Sequence, residues 1–423
     1  MTETAVVVGL GRSAVAVARF LARSGVRARV CDLRAADALE EQLRQLPDGV
    51  ELRLGGYDSS VLDGCSAVYA SPGVPWDSEL LVEARTRGLR VSSEMDLFFR
   101  HCPAPIVGIT GTNGKTTTTA LTGAVLARGD RPVMVGGNIG ETVLDRLDEV
   151  TPRHWVVLEL SSFQLESIEK PRARIGVVLN ISPDHLDRHH SFEAYVDAKA
   201  RLVEYQEAED AAVLNGKDQV CRQLAERTRA RVVWFDEHRP VPPMPIPGRH
   251  NVENSLAAAA VGRLAGLTDD AIEAAVRTFP GVEHRLELVG EWDGVRWYND
   301  SKATNPDAGR VAIEAFAGVP LVLIAGGYGS GFDLTDWLES VRHHVTVVVL
   351  MGSSAEELAA ALKEHRSVHR AADIDEAVRI ARREAHPGAV VLLSPAYKSF
   401  DQFKDYEDRG RRYKLAVLAA NGS

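Results

Sequence analysis

At 423 residues the chain is long enough for two to four domains, each able to bury an ordinary core. Its composition, 45% hydrophobic and 26% charged, is that of soluble globular protein, and a formal net charge of -10 leaves no global field to attract nucleic acid or an anionic membrane. No run approaches the ~18 apolar residues of a membrane span, the opening Met-Thr-Glu-Thr has no basic signal region, and Cys31, Cys65, Cys102 and Cys221 form no CxxC, so a cytoplasmic protein with reduced thiols is expected.

Apolar strand-like runs alternate with helical stretches almost throughout, which argues for α/β layers and mostly parallel sheets. Three units are expected, at 1–102, 103–280 and 281–423. The first opens with the strand Ala5–Val8, the turn Gly9-Leu10-Gly11-Arg12-Ser13-Ala14, a helix to about Ser24, and a second strand Ala28–Cys31 ending at Asp32. The glycine spacing permits a tight turn and close approach of a pyrophosphate, with Asp32 on a ribose hydroxyl. It fits NAD, FAD, a UDP-sugar or a structural turn. A second turn of phosphate-binding type, Ser71-Pro72-Gly73-Val74-Pro75, ends a later strand.

The second unit begins with the strand Pro105–Thr110 and carries the strongest signal, Gly111-Thr112-Asn113-Gly114-Lys115-Thr116, which opens a helix. Backbone N–H groups at such a turn surround phosphates, the lysine neutralises the β/γ-phosphates, and the threonine hydroxyl serves Mg²⁺. The general pattern places a glycine where Ile109 stands. The buried-strand run Trp155–Leu158 meets Glu159, placed either to hold Mg²⁺ or simply to reach water. Val177–Ile181 reads as another strand, followed by His185 at a strand–helix junction, as a ligand or as a structural residue. Phe192, Val196, Lys199 and Val203 share one helical stripe. A lysine there either snorkels at the domain edge or is desolvated and able to react with CO₂, giving a carbamate that metal ions would stabilise. The Pro-rich stretch Pro240–Pro247 is expected to be a loop. Asn251 and Asn254, on one face of the Ala-rich helix Asn251–Leu264, either read an adenine edge or cap the helix.

The third unit shows strands at Leu321–Ala325, Val345–Leu350 and Val390–Leu393. His284-Arg285 and Asn299-Asp300-Ser301-Lys302-Ala303-Thr304-Asn305 concentrate polar groups after short strands. An Arg and a Lys there could stabilise charge on a transferring phosphoryl group.

These motifs, in this order and across essentially the whole chain, resemble the Mur ligases. The segment Leu158–Glu166, the Gly9-Leu10-Gly11 turn and the tail Leu393–Ala396 with Ser399–Phe403 point to the branch that adds D-glutamate. The resemblance implies a Rossmann-like N-terminal domain, a central P-loop ATPase-type α/β domain and a C-terminal Rossmann-like domain. It implies ATP-dependent ligation of D-glutamate to UDP-N-acetylmuramoyl-L-alanine through an acyl phosphate, in peptidoglycan precursor synthesis, by a monomer with small-molecule partners only.

By the same resemblance Gly11, Ser13, Asp32, Arg34, Ser71, Gly73, Asn138 and Ser161 hold the UDP substrate, not NAD. Gly111 to Thr117 (Gly111, Thr112, Asn113, Gly114, Lys115, Thr116, Thr117), with Asn251, Asn254 and Asp300, hold ATP. Thr116, Glu159, His185 and carbamylated Lys199 serve two Mg²⁺ sites. Lys115, Lys199, His185, Arg285 and Lys302 are the expected catalytic residues, and Thr304, Lys398, Ser399 and Tyr406 the D-glutamate contacts. Two departures stand out. Ser330, after Gly326-Gly327-Tyr328-Gly329, replaces the family's usual lysine, and Lys398 stands where a small residue is common, so Lys398 is expected to take over the glutamate side chain. The segment Asp236–Pro247 also reads as shortened. Three rivals remain: a related ligase or folylpolyglutamate synthase, a nicotinamide-dependent oxidoreductase, and a non-catalytic nucleotide sensor.

Overall fold

The computed structural model describes residues 3–140, 142–235, 241, 242, 244, 246, 248, 250–329 and 331–422. Ser330, residues 236–240 and Pro243, Pro245 and Pro247 lie outside the described residues; the described members of the Pro-rich stretch, Val241, Pro242, Met244 and Ile246, are in no helix or strand.

Three parallel or mostly parallel sheets account for the strands. The first holds β1 (Thr4–Val8), β2 (Arg27–Asp32), β3 (Glu51–Leu54), β4 (Ala67–Ala70) and β5 (Arg90–Ser93), in the order β3-β2-β1-β4-β5. The second holds β6 (Ile106–Thr110), β7 (Val133–Gly137), β8 (Trp155–Glu159), β9 (Ile175–Val178), β10 (Ala211–Asn215) and β11 (Arg231–Phe235), ordered β11-β10-β9-β6-β8-β7. The third holds β12 (Glu287–Trp292), β13 (Val295–Asn299), β14 (Leu321–Ala325), β15 (Val347–Leu350), β16 (Val368–Arg370) and β17 (Val390–Leu393), ordered β12-β13-β17-β14-β15-β16. Among the described strands, only β12 runs antiparallel to its neighbour. The central strands are unbroken apolar runs because helices cover both faces of a parallel sheet.

Two expected strands are shorter than their apolar runs. Val177–Ile181 leaves the sheet after Val178, because Asn180 turns to bond the glycine-rich loop. Val345–Leu350 starts only at Val347, since Val345 terminates the preceding helix.

The chain divides into two compact units, Met1–Val241 with Glu253–Ala275 and Pro242–Val252 with Val276–Ser423. In the first, one apolar cluster runs from β1 and the helix Arg12–Arg23 through Leu97 and Phe98 to Val143, Val156 and Leu158, so the first two sheets share a core. In the second, Trp297, Ile324, Val349, Val378, Leu393 and Tyr413 pack between the third sheet and its helices.

Glu94 sits inside the shared core of the first unit. It is 5% exposed and accepts a hydrogen bond from the Leu144 N–H at 3.1 Å. Burial pushes its carboxyl up to about 7. The folded state therefore binds this proton more tightly than the unfolded chain, and the contribution to stability is complete below pH ~4.5 and lost as pH rises through about 7. Glu94→Gln keeps the acceptor without the charge. Above pH 8 it is expected to be more stable than the parent, by at most about 3 kcal/mol, with no difference at pH 4; urea denaturation at the two pH values checks this.

Candidate active site

The glycine-rich loop follows β6 and leads into the helix Lys115–Leu126. Gly114 caps that helix at φ +83°, and a Cβ there would run into the Asn254 side-chain oxygen. Position 114 thus needs glycine both for its backbone and for the amide beside it. The loop is braced by the segment that follows β9: the Thr112 N–H donates to the Asn180 carbonyl at 2.8 Å, and the Asn113 N–H to the Asn180 side chain at 2.8 Å. Lys115 Nζ donates to the Gly111 and Thr112 carbonyls at 2.9 and 2.8 Å, which holds its ammonium within the loop. Thr116 and Thr117 are buried in the first helical turn. Thr118 Oγ1 donates to Asn254 Oδ1 at 3.1 Å, so Asn254 bonds this helix.

Glu159 ends β8 and is 2% exposed. One carboxylate oxygen accepts from the Asn138 side chain at 3.0 Å; the other is buried without a hydrogen-bond partner. A buried carboxylate oxygen left unpaired is costly, and a divalent cation is what would satisfy it. The strand-end reading in which Glu159 merely reaches water does not hold.

Lys199 does not snorkel either. It is 1% exposed, on the helix Phe192–Glu204, and its Nζ lies 2.9 Å from the Gly111 carbonyl and 4.6 Å from the Tyr195 ring centre. Burial, with Lys115 nearby, lowers its pKa to about 7. Lysine at this position is therefore substantially a neutral amine near neutral pH. Tyr195, which sequence reading missed, connects this amine to the loop through a 3.3 Å contact between its hydroxyl and Thr112 Oγ1. His185 has a left-handed backbone (φ +52°) and a half-exposed ring against Phe163.

On the first sheet, β1 leads into Gly9, Gly11 and Ser13 and its neighbour β4 leads into Ser71 and Gly73; the Ser71 hydroxyl donates to the Gly9 carbonyl at 2.6 Å. All of the Asp32 carboxylate is used by the protein: it accepts from the Leu10 N–H at 2.6 Å and from the Arg34 N–H, Nε and Nη2 at 2.8–3.0 Å. The Arg34 guanidinium holds this carboxyl down at about 2. Asp32 fixes the turn and orients Arg34, so a ribose hydroxyl would have to share an acceptor already filled. Ser161 caps the helix Ser162–Ser167 in a reciprocal bond with Gln164.

In the second unit Asp300 is buried, accepting from the Leu286 N–H at 3.2 Å and the Ser394 hydroxyl at 2.9 Å, and burial raises its carboxyl to about 7. Arg285 lies between two residues of left-handed backbone, His284 (φ +63°) and Leu286 (φ +45°). Lys302 Nζ is 5.6 Å from the Tyr406 ring centre, and Thr304 follows on the same loop. Arg409, fully buried, gathers that loop and the tail: it donates to the Ser301 carbonyl at 2.8 Å and the Tyr397 carbonyl at 3.1 Å. Ser399 is buried, whereas Lys398 is exposed, and its carbonyl accepts from the Tyr328 N–H at 2.7 Å. Lys398 is therefore held beside the Gly326–Gly329 segment.

Three family descriptions match in succession: the Mur ligase MurD-like N-terminal domain over residues 3–93, the Mur ligase middle domain over 109–241, and the Mur ligase glutamate ligase domain over 284–397. The chain is 43% identical to the UDP-N-acetylmuramoylalanine–D-glutamate ligase of Acidobacterium capsulatum, over 99% of this chain and 96% of that one. The chain belongs to the Mur ligase family. A second Mur ligase of that name, from Solibacter usitatus, is 44% identical over 98% of this chain and 97% of its own. The solved UDP-N-acetylmuramate-alanine ligase of Thermotoga maritima shares the fold at a TM-score of 0.61 and 19% identity, covering 99% of this chain and all of that one. As in other Mur ligases, the three α/β domains follow one another along the chain.

Proposed function

We propose that this chain joins D-glutamate to UDP-N-acetylmuramoyl-L-alanine, forming a peptide bond with ATP converted to ADP and phosphate. The observation that carries the reading is identity above 40% over nearly the full length to two ligases named for that reaction. No helix among the described residues is long and apolar enough to cross a membrane. We assign the enzyme to the cytoplasm, as a monomer, with domain limits at 1–102, 103–280 and 281–423.

The chemistry follows from the reactants. A carboxylate is a poor electrophile at neutral pH, so an oxygen of the alanyl carboxylate attacks the γ-phosphorus and ADP leaves. The D-glutamate amine then attacks the acyl carbon, phosphate departs with the C–O bonding pair, and the amine proton passes to solvent. Lys115 and the loop N–H groups from Gly111 to Thr116 are assigned to the triphosphate, where fixed charge costs no reorganisation during transfer. Mg²⁺, held by Thr116, Glu159, His185 and a carbamate on Lys199, would offset phosphate charge; the unpaired Glu159 oxygen supports a cation at this place. Asn251, Asn254 and Asp300 are assigned to the nucleoside, and Arg285 and Lys302 to the phosphoryl charge. Gly11, Ser13, Asp32, Arg34, Ser71, Gly73, Asn138 and Ser161 are assigned to the sugar nucleotide. Thr304, Lys398, Ser399 and Tyr406 are assigned to D-glutamate.

Phosphate release from ATP with UDP-N-acetylmuramoyl-L-alanine tests the reading. Release is expected with D-glutamate and not with L-glutamate, glycine or L-lysine. Release with another amine only would keep the ligase chemistry and overturn the substrate, and none at all would overturn both.

A further inference from the structure

The short helix Leu186–His189 is bounded by two left-handed histidines, His185 (φ +52°) and His190 (φ +65°). Non-glycine residues adopt that backbone only where their surroundings hold them. On one side the His189 ring lies 2.9 Å from the Ser162 hydroxyl, next to Ser161. On the other, Arg188 Nη2 donates to the Val74 carbonyl at 2.8 Å, and the His190 ring lies 3.0 Å from the Asp77 carboxylate. Val74 belongs to the Ser71–Pro75 loop of the first sheet. Its side chain packs on the first nucleotide turn so closely that a Cβ on Gly9 would stand 2.9 Å from Val74 Cγ2, and the Ser71 hydroxyl donates to the Gly9 carbonyl at 2.6 Å. The Arg188 guanidinium is itself fixed, 4.8 Å above the Phe163 ring and 3.5 Å from Glu166, with its side chain 18% exposed.

We infer that Arg188 is a positioning residue for the sugar-nucleotide substrate, fastening the Ser71–Pro75 loop to the turn that carries His185. Its Nη2 is engaged by the Val74 carbonyl and faces Glu166, so through this contact it acts on the loop. The loop's carbonyl is held by the central domain and its side chain by the Gly9 turn. Without Arg188 the loop loses the one bond that holds the Val74 carbonyl, keeping its packing on the Gly9 turn, the Ser71 bonds and the His190–Asp77 pair beyond its end, and the diphosphate end of the pocket loosens while the ATP loop, braced by Asn180, does not. The inference rests on the reading that the first sheet binds the UDP-sugar.

Isothermal titration of the full chain with UDP-N-acetylmuramoyl-L-alanine, and separately with ATP–Mg²⁺, tests it. In Arg188→Ala the Kd for the sugar nucleotide is expected to rise about 10- to 30-fold, the loss of one charge-assisted hydrogen bond, with the ATP Kd within threefold of the parent. Arg188→Lys, still able to reach the Val74 carbonyl, is expected to recover most of that loss. Should the alanine variant fail to fold, the lysine and glutamine variants carry the same comparison, with glutamine the weaker binder. An unchanged sugar-nucleotide Kd, or equal losses for both ligands, overturns the inference. If the parent protein binds ATP but not the sugar nucleotide, the functional reading falls and takes the inference with it.

Discussion

Replacing Lys199 by methionine is expected to lower turnover by about a thousandfold or more while leaving the fold intact. The side chain is fully buried, and its pKa of about 7 means that the ammonium is destabilised where it stands. Methionine fills a similar volume and removes the cost of burying a charge, so thermal stability should not fall. What it removes is the amine. If carbamylated Lys199 supplies an anion opposite phosphate-bound Mg²⁺, its loss forfeits several kcal/mol of charge stabilisation, and ~4 kcal/mol is about three decades in rate. Carbamate formation needs the unprotonated amine, so activity of the parent protein should also depend on CO₂. Exhaustive removal of bicarbonate should depress it, more severely below pH 7, where the amine becomes protonated, and restoring bicarbonate should recover it. Lys199→Met should not respond to bicarbonate. If that variant keeps more than a tenth of parental turnover, or if the parent is indifferent to bicarbonate, the carbamate has no part in this enzyme.

The residues legible in the sequence are those whose chemistry is written locally. The loop Gly111–Thr116 is contiguous, and its strand–turn–helix context can be read from neighbouring residues. Glu159 is visible as a carboxylate ending an apolar strand, and Lys199 as a cation breaking an apolar stripe at helical spacing. Local pattern fails where a contact joins distant segments. Arg188 looks like a surface cation in Asp-His-Leu-Asp-Arg-His-His, and its partner Val74 lies 114 residues away. Tyr195 reads as one more apolar position of its helix, although its hydroxyl reaches Thr112, 83 residues distant. Apolar runs also overstate strand length where a residue has a second task, as Asn180 does in leaving β9 to brace the glycine-rich loop. The role of Asp32 was only half legible: its place at the end of β2 was evident, but not that Leu10 and Arg34 would fill its acceptors.

Lys398→Ala is expected to raise the KM for D-glutamate by roughly 10- to 100-fold, with the KM values for ATP and the sugar nucleotide unchanged. The tail following β17 exposes this ammonium at the C-terminal edge of a parallel sheet, where α/β folds bind ligands. Its backbone is fixed by the Tyr328 N–H, while among the described residues no carboxylate is paired with its side chain. A cation on a fixed backbone, with no carboxylate partner among the described residues, is suited to a substrate carboxylate. A hydrogen bond to a charged group contributes about 1.5–3 kcal/mol, which is the stated range of affinity. If the group that Lys398 recognises is the side-chain carboxylate and not the reacting amine, the cost should fall on D-glutamate alone. Accordingly kcat at saturating D-glutamate should change less than threefold. D-glutamine, which lacks the negative charge, should be a poor substrate for the parent and should lose little further in the variant. Arginine at this position retains charge and should recover part of the affinity. A D-glutamate KM unmoved by Lys398→Ala would mean that another cation holds the side chain, and that the lysine at 398 does not compensate for the serine at 330.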